Sequence, residues 1–124
     1  MDQKEVSFHD RLKMLIHEYI LLTYELTKKY PDDERFGMTS QDRRASVSVM
    51  LNYVEGYARF RDKVTLNFYE ISHGSLKESM YVKYLALNLK YIHQTDYNKI
   101  NLVGDEIGAM LFSTIRGMRE KINK

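Results

Sequence analysis

Apolar residues return at steps of four and three over most of this chain, and almost nothing interrupts them. Phe8, Leu12, Leu15, Tyr19, Leu22 and Leu26 keep this rhythm, which lines side chains along one stripe of a helix turning 3.6 residues at a time. A single proline, Pro31, and six glycines are too few turn signals for a fold of many short strands. The chain is therefore expected to be all-α.

The first helix is expected from about Ser7 to Lys29, with Ser7 as its cap and Pro31 as its stop. A polar connector, residues 30 to 38, follows, with Phe36 expected to tuck onto the bundle. The second helix should run from about Ser40 to Arg59, capped by Thr39 or Ser40, with Asp42 favourably placed near the positive end of the helix dipole. On this helix Val47, Met50, Leu51, Val54 and Ala58 read as the apolar stripe, and Arg44, Ser48, Glu55 and Arg59 as a polar face. A charged link, Phe60 to Lys63, leads to a third helix ending near His93, in which Gly74 suggests close packing or a bend. The fourth helix starts near Thr95 or Asp96 and carries Ile100, Val103, Ile107, Met110, Leu111, Ile115, Met118 and Ile122. Four helices with short links predict an antiparallel up-down four-helix bundle. At 124 residues the chain forms one domain, 1–124, in which residues 1–6 are expected to be a flexible leader.

Composition removes several function classes. The chain has no cysteine, so disulfides, thiolate nucleophiles and cysteine-ligated metals are excluded, and a reducing cytoplasm is the expected compartment. The first residues lack an apolar run of the kind a secretory signal needs, and the most apolar stretch, near Leu15 to Thr23, is broken by His17 and Glu18. No membrane association is expected. His9, His17, His73 and His93 lie on separate segments without a metal-ligand spacing, so no metal or other cofactor is expected. His73 with Ser72 and Ser75 cannot form a nucleophile constellation, because neighbours on one helix do not aim at a common point. Glu55, Glu70 and Glu78 without a cleft are a weak basis for acid–base catalysis; pairing with arginine or lysine is the simpler role. No nucleotide-binding loop occurs, and the chain is read as not an enzyme. Gly104 and Gly108 read as a close-packing notch between helices.

Between residues 40 and 63, Arg43, Arg44, Arg59, Arg61 and Lys63 outnumber Asp42, Glu55 and Asp62, and Lys77, Lys83 and Lys90 continue the supply. Arginine forks match phosphate oxygens, which makes the five cations candidate nucleic-acid contacts, although on the residues alone an ordinary solvated face is the first reading of the pattern. The formal net charge is only +2, weak for a monomeric nucleic-acid binder. The segment at residues 80–92 spreads Met80, Val82, Tyr84, Leu85, Leu87, Leu89 and Ile92 over more than one helix face. That surplus, with 10 tyrosines and 7 methionines, fits either self-association or half-buried tyrosines with wet hydroxyls.

The segments SQDRRASVSVMLNYVEGYAR at 40–59 and FYEISHGSLKES at 68–79 resemble the four-helix-bundle family of 23S rRNA intervening-sequence proteins, which includes the accessory variability determinants of diversity-generating retroelements. Arg43, Arg44, Asn52, Glu55, Gly56, Arg59, Gly74, Ser75 and Glu78 fall on the family pattern, and the likeness extends over about residues 11 to 122. Met50, Leu51, Tyr53 and Val54 depart from the proline and the isoleucine–alanine pair usual around the asparagine. The connector around Phe36 is similar to both branches. The resemblance implies a homopentameric bundle which, in the accessory branch, binds RNA or DNA and a reverse transcriptase. Five copies of a +2 chain would carry +10, enough to hold phosphates. The alternative is a protein–protein adaptor that binds no nucleic acid.

Overall fold

The computed structural model describes residues 6–124. Four helices follow one another: α1 (Phe8–Thr27), α2 (Met38–Tyr57), α3 (Asp62–Asn88) and α4 (Gln94–Ile122), with a single 3-10 turn at Asp32–Glu34. Each helix packs on the next and α4 closes against α1. Direction alternates: His9 at the start of α1 meets Tyr53 at the end of α2, and Arg43 at the start of α2 meets Thr27 at the end of α1. The expected up-down four-helix bundle is what the chain forms, although the expected leader lies, but for Val6, outside the described residues.

Side chains on the core seam recur with heptad-like regularity. Leu12, Ile16, Tyr19, Thr23 and Leu26 face inward from α1; Asp42, Ser46, Val49, Tyr53 and Gly56 from α2; Thr65, Tyr69, Ser72, Leu76, Ser79, Lys83 and Ala86 from α3. Steps of four and three make this a coiled-coil-like interior. With Thr27, it contains eight buried polar or charged residues on those three helices, which an apolar stripe does not detect. The α2 seam therefore differs from the expected one: Leu51 is 59% exposed, Ala58 lies outside, and Val47, Met50 and Val54 are half-buried.

Asp42 and Lys83 face each other inside the bundle rather than decorating its surface. Lys83 Nζ lies 2.6 Å from Asp42 Oδ1 and 2.8 Å from Ser79 Oγ. Ser79 donates to Asp42 Oδ1 at 2.7 Å, and the Tyr30 hydroxyl donates to Asp42 Oδ2 at 2.8 Å. Tyr19 completes the network, with its hydroxyl 2.9 Å from Ser79 Oγ and its ring 4.5 Å from the ammonium. Burial pulls the Lys83 ammonium down to about 8 while Asp42 pulls it the other way. The same burial raises the Tyr19 and Tyr30 phenols above their ordinary value.

Helix ends follow local chemistry, with two corrections. Ser7 Oγ accepts from the Asp10 amide at 3.1 Å, the expected cap. For α2 the cap position is Gly37, so Thr39 and Ser40 lie within the first turn and neither caps it. Helix α3 ends five residues before the expected His93: Lys90 adopts a left-handed φ of 64°, and the Tyr91 and Lys90 amides return to the Ala86 and Leu87 carbonyls. His93 instead opens α4, its amide donating to Asp96 at 3.1 Å.

The glycines divide into packed and open. A Cβ on Gly104 would lie 3.0 Å from Met80 Sδ, and one on Gly56 2.9 Å from Phe68 Cβ, so both permit close helix approach. Gly108 sits buried against Leu76, with room for ordinary contact. Gly74 meets nothing within 4 Å and lies within the single uninterrupted span of α3. It is not the close-packing position expected of it, and it does not interrupt the helix. Phe36, expected to tuck onto the bundle, is 88% exposed beside the guanidinium of Arg35.

Candidate nucleic-acid interface

Fold geometry splits the five candidate cations into three places. Arg43 turns toward α1, where its Nε donates to Thr27 Oγ1 at 2.8 Å and its guanidinium stacks 4.8 Å from the Tyr24 ring. It is half-buried and holds two helices together. Arg44 is exposed beside Gln41, Ala45, Ser48 and Glu78 in a shallow groove between α2 and α3. Arg59, Arg61 and Lys63 gather at the end of the bundle where α2 turns into α3.

That turn is short because α2 and α3 approach closely there. Gly56 lets the Phe68 and Tyr69 side chains sit against the α2 backbone, and Thr65 Oγ1 donates to the Gly56 carbonyl at 2.9 Å. Only Ala58 to Arg61 connect the two helices. Arg59 pairs with Glu55 one turn back and lies over the Phe68 ring at 5.4 Å. The C-terminus of α4 reaches the same end, bringing Lys121 to 3.2 Å from Asp62 and Arg119 into a pair with Glu70. Among the described residues no carboxylate pairs with Arg61 or Lys63. The pairs of Arg59, Arg119 and Lys121 are exposed, and surface ion pairs of this kind contribute at most about 1 kcal/mol.

Polar residues of the α2–α3 seam are fasteners. Ser48 and Ser75 hydroxyls meet at 3.0 Å, Asn52 donates to the Ser48 carbonyl and hydroxyl at 2.9 and 2.8 Å, and Gln41 donates to Glu78 at 2.7 Å. Ser72 donates to the Val49 carbonyl at 2.6 Å, which commits that hydroxyl to helix packing. Lys83, counted among the surface cations in sequence, is buried and unavailable to phosphate. Sequence reasoning overlooked Lys121 and Phe60. Nothing local marks Lys121, since only the return of α4 brings it to Asp62, whereas Phe60 was legible as an aromatic between two arginines.

The sequence model of the family described as 23S rRNA-intervening sequence protein matches residues 13–113. The chain belongs to that family. Of the motif residues that carry the likeness, Asn52, Ser75 and Glu78 are among the fasteners just described, while Gly74 touches nothing. A crystal structure of a protein of unknown function from the S23 ribosomal protein family of Bacteroides thetaiotaomicron is similar at a TM-score of 0.77 and 25% identity, covering 84% of this chain and 97% of that one. No curated protein matches. Among the described residues no helix is long and apolar enough to cross a membrane, and no three histidine or acidic side chains gather as a metal ligand set.

Proposed function

We infer that this protein is a non-enzymatic, cytoplasmic, oligomeric bundle that binds RNA or DNA, and that its basic end makes the contact. The observation that supports this reading is the convergence of Arg59 and Arg61 from the α2–α3 connection, Lys63 from α3 and Lys121 from α4 on one end of the bundle. Arg61 and Lys63 are the first phosphate contacts, and Arg59 joins them by releasing Glu55. Arg44 offers a secondary contact from the groove, and Arg43 supports the frame. Membership in a family named for a ribosomal RNA insertion is consistent with a nucleic-acid partner. A homopentamer, and service as scaffold to a reverse transcriptase as in the retroelement accessory branch, extend the same reading.

A protein-only adaptor is the second reading, favoured by Ile71, Tyr81, Leu85 and Leu89, which stay exposed along α3. Filter binding to structured RNA across a salt series tests the first reading. Affinity should fall steeply as salt rises, and the Arg61→Ala/Lys63→Ala double variant should flatten the log–log slope by about one to two units, one per lost phosphate contact. Absence of binding at low salt, or binding indifferent to salt, would remove it. Light scattering that shows only lone 14.8 kDa particles would remove the assembly.

A further inference from the structure

Phe60 is the most exposed large apolar side chain among the described residues, at 101% of its reference area. A lone exposed apolar residue needs no explanation; the setting of this one is unusual. It stands in the connection between α2 and α3, with Arg59 before it and Arg61 after it. Those three and Val64 line a small cleft of about 140 Å³. The cleft shares Arg61 and Val64 with a larger depression of about 450 Å³, lined further by Asp62, Lys63, Lys121 and Ile122. An aromatic face therefore opens directly onto a cationic trough, whose one carboxylate, Asp62, is matched by Lys121.

Phe36 provides the contrast within the same chain. It is nearly as exposed, but it follows the acidic turn Asp32, Asp33 and Glu34 at the opposite end of the bundle. Arg35 already occupies the ring face there, 5.4 Å from its centroid. Among the described residues the Phe60 ring has no aromatic or cationic partner, and it lies beside Arg61 and Lys63, with which no carboxylate pairs.

We propose that Phe60 is a stacking platform for an unpaired nucleobase, with Arg61 and Lys63 holding the phosphates that flank it. This rests on the nucleic-acid reading above and makes it specific: the ligand is single-stranded, or carries a splayed-out base. A base can lay its face on a protruding ring only when it is released from its own stack, and ring stacking tolerates any base. Duplex offers phosphates to the trough but no free base face to Phe60.

Fluorescence anisotropy of the full chain with labelled oligothymidylate and oligouridylate of about 20 nucleotides, against a duplex of equal length, tests this. The wild type should prefer the single strands. Phe60→Ala should weaken single-strand binding roughly tenfold, leave duplex binding and the salt slope unchanged, and abolish the preference. Phe36→Ala should change nothing. Because the chain contains no tryptophan, Phe60→Trp supplies a single indole whose emission should quench as oligothymidylate is added, a readout independent of affinity. Wild-type binding that is salt-dependent but identical in Phe60→Ala, with an unquenched indole in Phe60→Trp, overturns the platform and leaves the nucleic-acid reading standing. No binding of any oligonucleotide at low salt overturns both. If Phe60→Ala instead lowers the particle mass in light scattering while single-strand affinity per protomer holds, the ring is a contact between copies and the platform is refuted.

Discussion

Removing one partner of the Asp42–Lys83 pair should be among the most damaging single changes this bundle can suffer. Both side chains are almost wholly buried, Asp42 at 0% and Lys83 at 2% exposure, and their polar atoms are spent on each other, Ser79 and Tyr30. Lys83→Met leaves a carboxylate in the interior with only two neutral donors. Asp42→Leu leaves an ammonium facing the Tyr19 ring and strips the Tyr30 hydroxyl of its acceptor. Breaking a buried pair from one side costs about 3–5 kcal/mol. With an unfolding entropy near 2.1 cal/mol/K per residue, a 124-residue chain loses roughly 4 °C of melting temperature per kcal/mol, so either single change should lower Tm by about 12–20 °C. The double variant Asp42→Leu/Lys83→Met should recover most of that, because apolar replacements of both charges are near neutral or stabilising, leaving about 1–3 kcal/mol for the orphaned Tyr30 hydroxyl. Urea unfolding followed by circular dichroism measures all three. Single variants that each cost under about 1 kcal/mol, or a double variant that costs the sum of its parts, would refute the claim that the pair is desolvated and coupled.

Two further tests use the same unfolding assay. Lys83 titrates lower folded than unfolded, so between about pH 8 and the ordinary lysine value the unfolded chain holds the extra proton, and stability rises with pH there. The buried Tyr19, Tyr30 and Tyr53 phenols titrate higher folded than unfolded, so their contribution is complete below about pH 10 and is lost above it. A stability profile that climbs from pH 8 and then falls beyond pH 10, with Lys83→Met abolishing only the climb, is the expected result; a flat profile contradicts it. Gly56→Ala should destabilise by about 1–3 kcal/mol, because the new methyl meets Phe68 and Tyr69 at 2.9–3.0 Å. Gly74→Ala, with open space around it, should stabilise α3 by about 0.8–1 kcal/mol in the isolated protomer, and a loss there would show that the helix needs this glycine.

Fold class was legible because long helices need only periodicity and an absence of breakers, and both are visible in residue types. The core register was less so. On α2 the inward positions are Asp42, Ser46, Val49, Tyr53 and Gly56, three of which a hydrophobicity reading assigns to the surface. Their partners lie on α3, 41 residues on for Asp42 and 12 for Gly56, so no stripe on α2 alone reveals that Asp42 has Lys83 to neutralise it or that Gly56 has Phe68 to receive. Caps showed the same division. Ser7 was readable because its acceptor role is local, whereas α2 starts without a side-chain cap and Lys90 takes a conformation usually left to glycine. Of the candidate cations, sequence proximity grouped five, and helical geometry separated them: Arg43 and Arg44 are adjacent in sequence but face different neighbours.

Net charge is a poor guide to this molecule because its ends do not feel one another. At 1.5 Å per residue the 29 residues of α4 span about 44 Å, several times the Debye length of about 10 Å at 0.1 M salt. The carboxylates of Asp32, Asp33 and Glu34 lie at one end and the cations of Arg59, Arg61, Lys63, Arg119 and Lys121 at the other, so the former cannot cancel the latter for an approaching phosphate. The relevant quantity is local, where Glu55, Asp62 and Glu70 each pair with one of those five cations and Arg61 and Lys63 pair with no carboxylate among the described residues. Two cations hold a phosphate chain weakly. Copies packed side by side with their basic ends aligned would set several such pairs within a few Debye lengths of each other, and binding would then depend on assembly even though each contact belongs to a single protomer. Salt slope measured alongside particle mass separates the two possibilities: a slope set by one protomer stays near two phosphates, and a slope set by the assembly grows with the number of copies.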